Sequence, residues 1–375
     1  MKTSARYKPR PGLSIPIVTV LDRSGRVLAD EQRAVVRYAL QEDAGADIIF
    51  AAGTTGEWDR LDNPRRQLVA RIAVEECRKG ARAGARRVEA WAGITARSRV
   101  ETLENLTHAL EIAADAAVVA PLSITDVDDP VEFVTRDIGT LFDRRGRALP
   151  IFLHDNADTT APGRAAHLHT RDVKKMSRLA YVRGVNVTAS KAVLGNYTRA
   201  ASAFKRKGEF GVYSGNPYLI FDLFRRPSGL RGWTRHYWNR YLTQNALPLG
   251  IVAGAANLMP REWQRTWQVC RAGDDALMER YASVLEPSRE SSDFVRARKP
   301  YRAAIACLKA ALSDLGVCSS DAVAPGTPAL EEAERREFLR SFRDLRRRAA
   351  ATLEPEWLSE WAARRPALMR ARRDG

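Results

Sequence analysis

The chain of 375 residues has little cysteine and no pattern that would put it to use. Cys77, Cys270, Cys307 and Cys318 lie far apart in stretches of helical spacing, without a CxxC pair or a Cys/His spacing suited to zinc. A disulfide framework and a structural zinc site are therefore not expected; reduced, packed thiols are. Long apolar runs are also missing. No stretch reads as a bilayer span, and the opening "MKTSARYKPRPGLSIPIV" is basic but lacks the apolar core of a signal peptide. The expectation is a soluble, cytoplasmic protein. Acids are outnumbered, 45 against 61 lysines and arginines, for a formal charge of +16. That excess is mostly arginine, spread along the whole chain among many acids, so charge alone does not point to a nucleic-acid partner.

What is present is an alternation of short apolar runs with amphipathic stretches, in a chain 45% hydrophobic and 28% charged that can bury a large core. Strands are predicted at 14–21, 47–53, 87–94, 116–121, 150–155, 184–189, 209–215 and 249–257. Helices are predicted between and after them at 30–44, 64–79, 99–113, 130–143, 170–179, 194–205, 217–224 and 260–272, several opening on Pro or Asp as helix starts should. Eight βα units favour an α/β fold of the TIM (β/α)8 barrel type over 1–272. Further helices at 275–285, 294–315 and 330–352 form a C-terminal helical domain over 273–352, followed by a basic tail, 353–375. One connection, 225–248, is long and carries Trp233, His236, Tyr237, Trp238 and Tyr241 among arginines. On the barrel face opposite the active site, such a segment reads as packing or a subunit contact sooner than as a base-stacking surface.

Two stretches carry chemistry. The second strand ends in "AAGTTGEW", where Gly53 and Gly56 bracket Thr54 and Thr55, so that backbone N–H groups and hydroxyls can converge on a small anion such as a carboxylate. The sixth strand leads into "VNVTASKAVLGNYTR", which places Lys191 at a strand-to-helix junction. Both ends face the same barrel mouth. An amine that loses solvation there can attack the ketone of a 2-oxo acid held by its carboxylate and form a Schiff base. By two-residue alternation Lys191 shares a face with Val185, Val187 and Ala189. Trp58, beside the turn, can face a hydrophobic acceptor or pack the following helix.

With these pieces in order, together with "AGADIIFAAGTTGE", "EAWAGITARS", "GVYSGNPYLIFDL", "GIVAGAANLMP" and "CLKAALSDLG", the chain resembles the dihydrodipicolinate synthase and N-acetylneuraminate lyase family of pyruvate-type class I aldolases, from about Leu13 to about Ala350. The resemblance implies a Schiff-base lyase or synthase that needs no metal or organic cofactor and assembles as a homo-oligomer, dimer or tetramer. It implies Lys191 as the Schiff-base residue, since Gly195-Asn196 and Thr198-Arg199 follow at the family spacing. It also implies Gly53, Thr54 and Thr55 as carboxylate ligands, with Gly215 and Asn216 at the mouth. An alternative alignment on Gly184-Val185 puts Asn186 in the lysine's place and leaves no Schiff base. Where the family carries a tyrosine at the end of strand five, this chain has His154, a plausible substitute acid/base. The second family tyrosine is replaced by Leu122-Ser123, and the arginine that binds the second substrate of dihydrodipicolinate synthase itself aligns with Thr159, with Arg164 nearby. A standard dihydrodipicolinate synthase is therefore not expected. The competing expectation is an aldolase-like barrel that lost its chemistry and serves as a binding or assembly subunit.

Overall fold

The computed structural model describes residues 7–42, 44–82, 86–201, 203–204, 208–225, 229–230, 234, 247–287 and 303–353. Eight strands, β1 (Gly12–Pro16), β2 (Ile48–Ala51), β3 (Glu89–Gly93), β4 (Ala116–Val119), β5 (Ile151–Asn156), β6 (Val182–Thr188), β7 (Gly211–Ser214) and β8 (Gly250–Val252), pair in sequence order. All pairs are parallel, and Leu13 opposite Ile251 closes β1 onto β8. Each strand leads to a helix on the outside: α1 (Ala29–Leu40), α2 (Asn63–Arg82), α3 (Arg99–Glu111), α4 (Gly139–Arg145), α5 (Thr170–Ser177), α6 (Lys191–Ala201), α7 (Leu219–Phe224) and α8 (Pro260–Ala272). The TIM barrel expected from the alternation is the fold observed. Among the described residues, three more helices, α9 (Asp275–Leu285), α10 (Ala303–Asp314) and α11 (Glu332–Thr352), follow it.

The pleat sorts each strand into two faces. Val185 and Val187 of β6, Leu13 and Ile15 of β1 and Ile49 of β2 join the buried layer shared with the helices. The alternate positions turn inward, where Ile48, Phe50, Trp91, Val118, Phe152 and Tyr213 form a separate interior cluster. The Trp91 and Phe152 rings stack with centroids 4.0 Å apart, and Tyr213 meets both edge-on. Such bulk needs gaps opposite: a Cβ on Gly184 would stand 2.6 Å from the Phe152 ring, and one on Gly250 2.6 Å from Tyr213. The interior is packed with side chains, so only its upper rim is open to a ligand.

Several strands end earlier than the apolar runs suggest. β2 stops at Ala51 because Ala52 turns to φ +54° ahead of the 3-10 turn Thr54–Gly56. β8 stops at Val252, and the remainder coils into a 3-10 turn, Gly254–Asn257. There the Asn257 side-chain NH2 donates to the carbonyls of Pro16 and Gly254, and its Oδ1 accepts from Val18 N–H, which locks the β8–α8 loop against β1. No helix among the described residues is long and apolar enough to cross a membrane. The aromatic residues Trp233, His236, Tyr237, Trp238 and Tyr241 and all of the tail beyond Leu353 lie outside the described residues.

Candidate functional site

The upper rim opens into a cavity of about 820 Å³. Its floor is supplied by inward-facing positions at the C-terminal strand ends: Phe50 from β2, His154 and Asn156 from β5, Asn186 and Thr188 from β6, and Val252 from β8. Thr54 and Thr55 line one side, and Gly215 and Asn216, just past β7, line another. These predicted mouth residues are brought together. Gly53 is not itself a wall, but it lets the turn sit close, since a Cβ there would lie 2.7 Å from the Phe50 ring. Gly215 has the same part opposite Thr188, whose Oγ1 would be 2.1 Å from an added Cβ.

His154 sits 8% exposed at the centre of the floor. Asn186 Nδ2 donates to its Nδ1 at 3.0 Å, which leaves the ring proton on Nε2, and Nε2 lies 3.5 Å from Thr54 Oγ1. Burial removes the imidazolium's hydration and lowers the His154 pKa to about 4. The ring is thus a neutral donor aimed at the turn across the physiological range. Two further polar atoms, Asn186 Oδ1 and Asn156 Nδ2, are buried with no hydrogen-bond partner in the structure. An orphaned buried group costs about 1–3 kcal/mol, so these two amides keep unmet hydrogen-bonding capacity just behind the floor.

Lys191 is not brought to this floor. β6 ends at Thr188, and Lys191 is the first residue of α6. Its side chain is exposed and its Nζ reaches the Asp222 carbonyl at 3.5 Å, while its neighbour Ser190 lines the cavity and Lys191 does not. The alternation that grouped it with Val185 and Val187 selected the outward face of β6, because the inward set is Gly184, Asn186 and Thr188. Asn186 holds the inward position level with His154 of the neighbouring strand.

Other sequence expectations resolve into packing. Trp58 is 2% exposed and lies under the Arg97 guanidinium, 5.6 Å from the ring centre, away from the cavity. Ser123 Oγ donates to Thr159 Oγ1, which in turn donates to the Asn156 carbonyl, so Ser123 and Thr159 brace the end of β5. Arg164 pairs with Asp128 on an exposed loop. Asp155, next to His154 but facing out, accepts from Tyr197 Oη, His167 Nδ1 and Leu168 N–H.

Sequence reasoning missed two parts of the site. The first is a buried ion pair: Glu57, which closes the Thr54–Gly56 turn at φ +59°, binds Lys309 Nζ through one oxygen and Ala324 N–H through the other at 2.8 Å. Lys309 also donates to the Ala322 carbonyl at 2.8 Å. The signal was a lone lysine inside the apolar run "ACLKAAL". The second is the cavity's outer wall, made by α10 and α11. Ile305 and Leu308 supply one part and Phe338, Phe342 and Leu345 the other. Among the described residues no cluster of His, Cys, Asp and Glu has the makings of a metal site.

No family model matches the chain. Among curated proteins it is 28% identical over 334 residues to a 4-hydroxy-tetrahydrodipicolinate synthase of Phenylobacterium zucineum, covering 88% of this chain and 96% of that one. It is 25% identical over 322 residues to the synthase of Geobacter sp. strain M21, covering 85% and 93%. A match at 26% identity to the Syntrophotalea carbinolica synthase is shorter, 56% of this chain and 65% of that protein. Among solved structures, a prophage protein of the dihydrodipicolinic acid synthase family from E. coli K12, in complex with pyruvate, superposes with a TM-score of 0.70 at 20% identity, covering 90% of this chain and 98% of that one. The dihydrodipicolinate synthase of Bacteroides thetaiotaomicron gives 0.68 at 19%, covering 90% and 99%.

Proposed function

Because the chain belongs to the dihydrodipicolinate synthase and N-acetylneuraminate lyase family, we propose that it is an aldolase-type lyase or synthase acting on a 2-oxo acid, with the keto group held by hydrogen bonds instead of a lysine iminium. The observation that carries this reading is the Asn186–His154 pair at the floor, where a Schiff-base lysine would have to stand. Thr54 and Thr55 take the carboxylate, since a 3-10 turn leaves its first N–H groups without partners inside the turn. The ketone oxygen then accepts from His154 Nε2–H. A neutral imidazole is suited to this: it can stabilise charge developing on that oxygen as the bond at the neighbouring carbon breaks, without entering as a cation. No metal or organic cofactor enters this scheme, and assembly as a homo-oligomer belongs to it as an expectation from the family.

A second reading keeps the iminium at Lys191. It is favoured by the Gly195-Asn196 and Thr198-Arg199 spacing, and by Ser190, the residue before it, reaching the cavity wall. A third outcome is a barrel that binds without turnover. Incubation with pyruvate and borohydride, followed by mass spectrometry of the tryptic peptides, separates the first two. The hydrogen-bonding reading expects no reduced adduct; an adduct on Lys191 overturns it in favour of the iminium. Release or consumption of a 2-oxo acid in the untreated protein distinguishes enzyme from binding subunit.

A further inference from the structure

The cavity is far too large for the acid that its floor recognises. A three-carbon 2-oxo acid fills roughly 100 Å³, the share of three or four waters, whereas the space is about 820 Å³. Much of what surrounds the remainder is apolar. Met259 and Trp263 of the β8–α8 region, Ile305 and Leu308 of α10, and Phe338 and Phe342 of α11 line it. Phe338 and Phe342 lie parallel, centroids 6.3 Å apart, one turn apart along α11. Polar side chains line it as well: Asp158, Ser190 and Asn216 beside the strand ends, and Ser341, Asp344 and Arg348 on α11. The floor is thus rich in hydrogen-bonding groups, while the part of the cavity against α10 and α11 is mainly apolar up to the charged residues Asp344 and Arg348.

We propose that the substrate is a 2-oxo acid bearing an apolar tail of about six or more carbons, aromatic or aliphatic, whose carboxylate and keto group sit on the barrel floor while the tail lies between α10 and α11. This rests on the reading of Thr54 and Thr55 as carboxylate ligands. A pocket of this size and lining buries most of a ligand's surface, and each methylene moved out of water adds about 0.8 kcal/mol, close to fourfold in affinity. Water left in the chamber would meet hydrocarbon on most sides, which favours its release by a tail.

The test is calorimetric titration of the full chain with four probes: pyruvate, 2-oxooctanoate, 2-oxo-4-phenylbutanoate and 4-phenylbutan-2-one, the last lacking the carboxylate. Both long acids are expected to bind at least tenfold tighter than pyruvate, and the ketone at least tenfold weaker than its matching acid. In Ser341→Trp, which places a ring at the outer edge of the chamber from an exposed position, the advantage of the long acids over pyruvate is expected to shrink below threefold. Equal affinities for pyruvate and the long acids in the unmodified protein overturn the tail proposal and leave the carboxylate reading standing. A ketone that binds as tightly as its acid does the reverse. Failure of every acid to bind overturns both.

Discussion

Lys309 Nζ and the Glu57 carboxylate form an ion pair in which both side chains are almost fully shielded from water, and it joins α10 to the turn that carries Thr54 and Thr55. Burial pulls the Lys309 pKa down, while the adjacent carboxylate opposes that shift. The turn is thereby held from outside the barrel. Lys309→Met leaves Glu57 buried without its cation and is expected to destabilise the protein by about 3–5 kcal/mol. Lys309→Met with Glu57→Gln removes the orphaned charge and is expected to recover at least half of that loss. Urea denaturation of the two variants beside the unmodified chain measures both quantities.

Asn186→Lys places an amine at the inward position beside His154. Incubated with pyruvate and borohydride, this variant is expected to give a reduced adduct at residue 186, where the unmodified chain gives none. Peptide mass spectrometry reads the result, and the absence of an adduct in a folded variant would show that the floor does not hold a keto acid within reach of that position.

His154 links stability to pH. Its folded pKa, about 4, lies below the unfolded value of 6.5, so the unfolded chain binds the proton more readily between those limits. The contribution is complete above about pH 6.5 and is lost as pH falls toward 4, by roughly 3 kcal/mol across the window. His154→Gln is expected to flatten this portion of the melting temperature curve between pH 7 and 4. Ligand affinity, which needs only the neutral ring, should stay level from pH 8 to 5.

Gly215→Ala sets a methyl group against Thr188 Oγ1 and within 3.0 Å of the Thr188 Cα. Since backbone cannot yield as a flexible side chain does, a loss of about 1–3 kcal/mol is expected, together with weaker ligand binding from a narrowed mouth. Thermal denaturation and titration with a 2-oxo acid check the two effects separately.

The barrel was legible because eight apolar runs alternate with helical spacing, and residues such as Ile49 and Val185 obey the pleat. α8 and α9 match their sequence bounds, since Pro260 and the Asp274 side chain mark their starts and Gly273 ends α8 at φ +74°. The rim was legible in part. Thr54, Thr55, His154, Gly215 and Asn216 reach the cavity as expected, because the ends of parallel strands converge. Lys191 does not, because alternation gives two faces but does not say which one points inward; that is set by register with β5 and β7. The wall from α10 and α11 was illegible for another reason: those residues read as ordinary amphipathic helix, and only three-dimensional packing reveals that Phe342 looks onto the barrel mouth.

That wall also orders events in time. A ribosome releases β1 through β8 before it has made Leu308, Lys309 or Phe342, so a nascent chain can close its cylinder while Glu57 still waits for its counter-charge and the chamber stands open on one side. Competence to hold a ligand is therefore acquired only once α10 and α11 have been synthesised, and premature termination near residue 300 would leave the barrel floor without its outer wall.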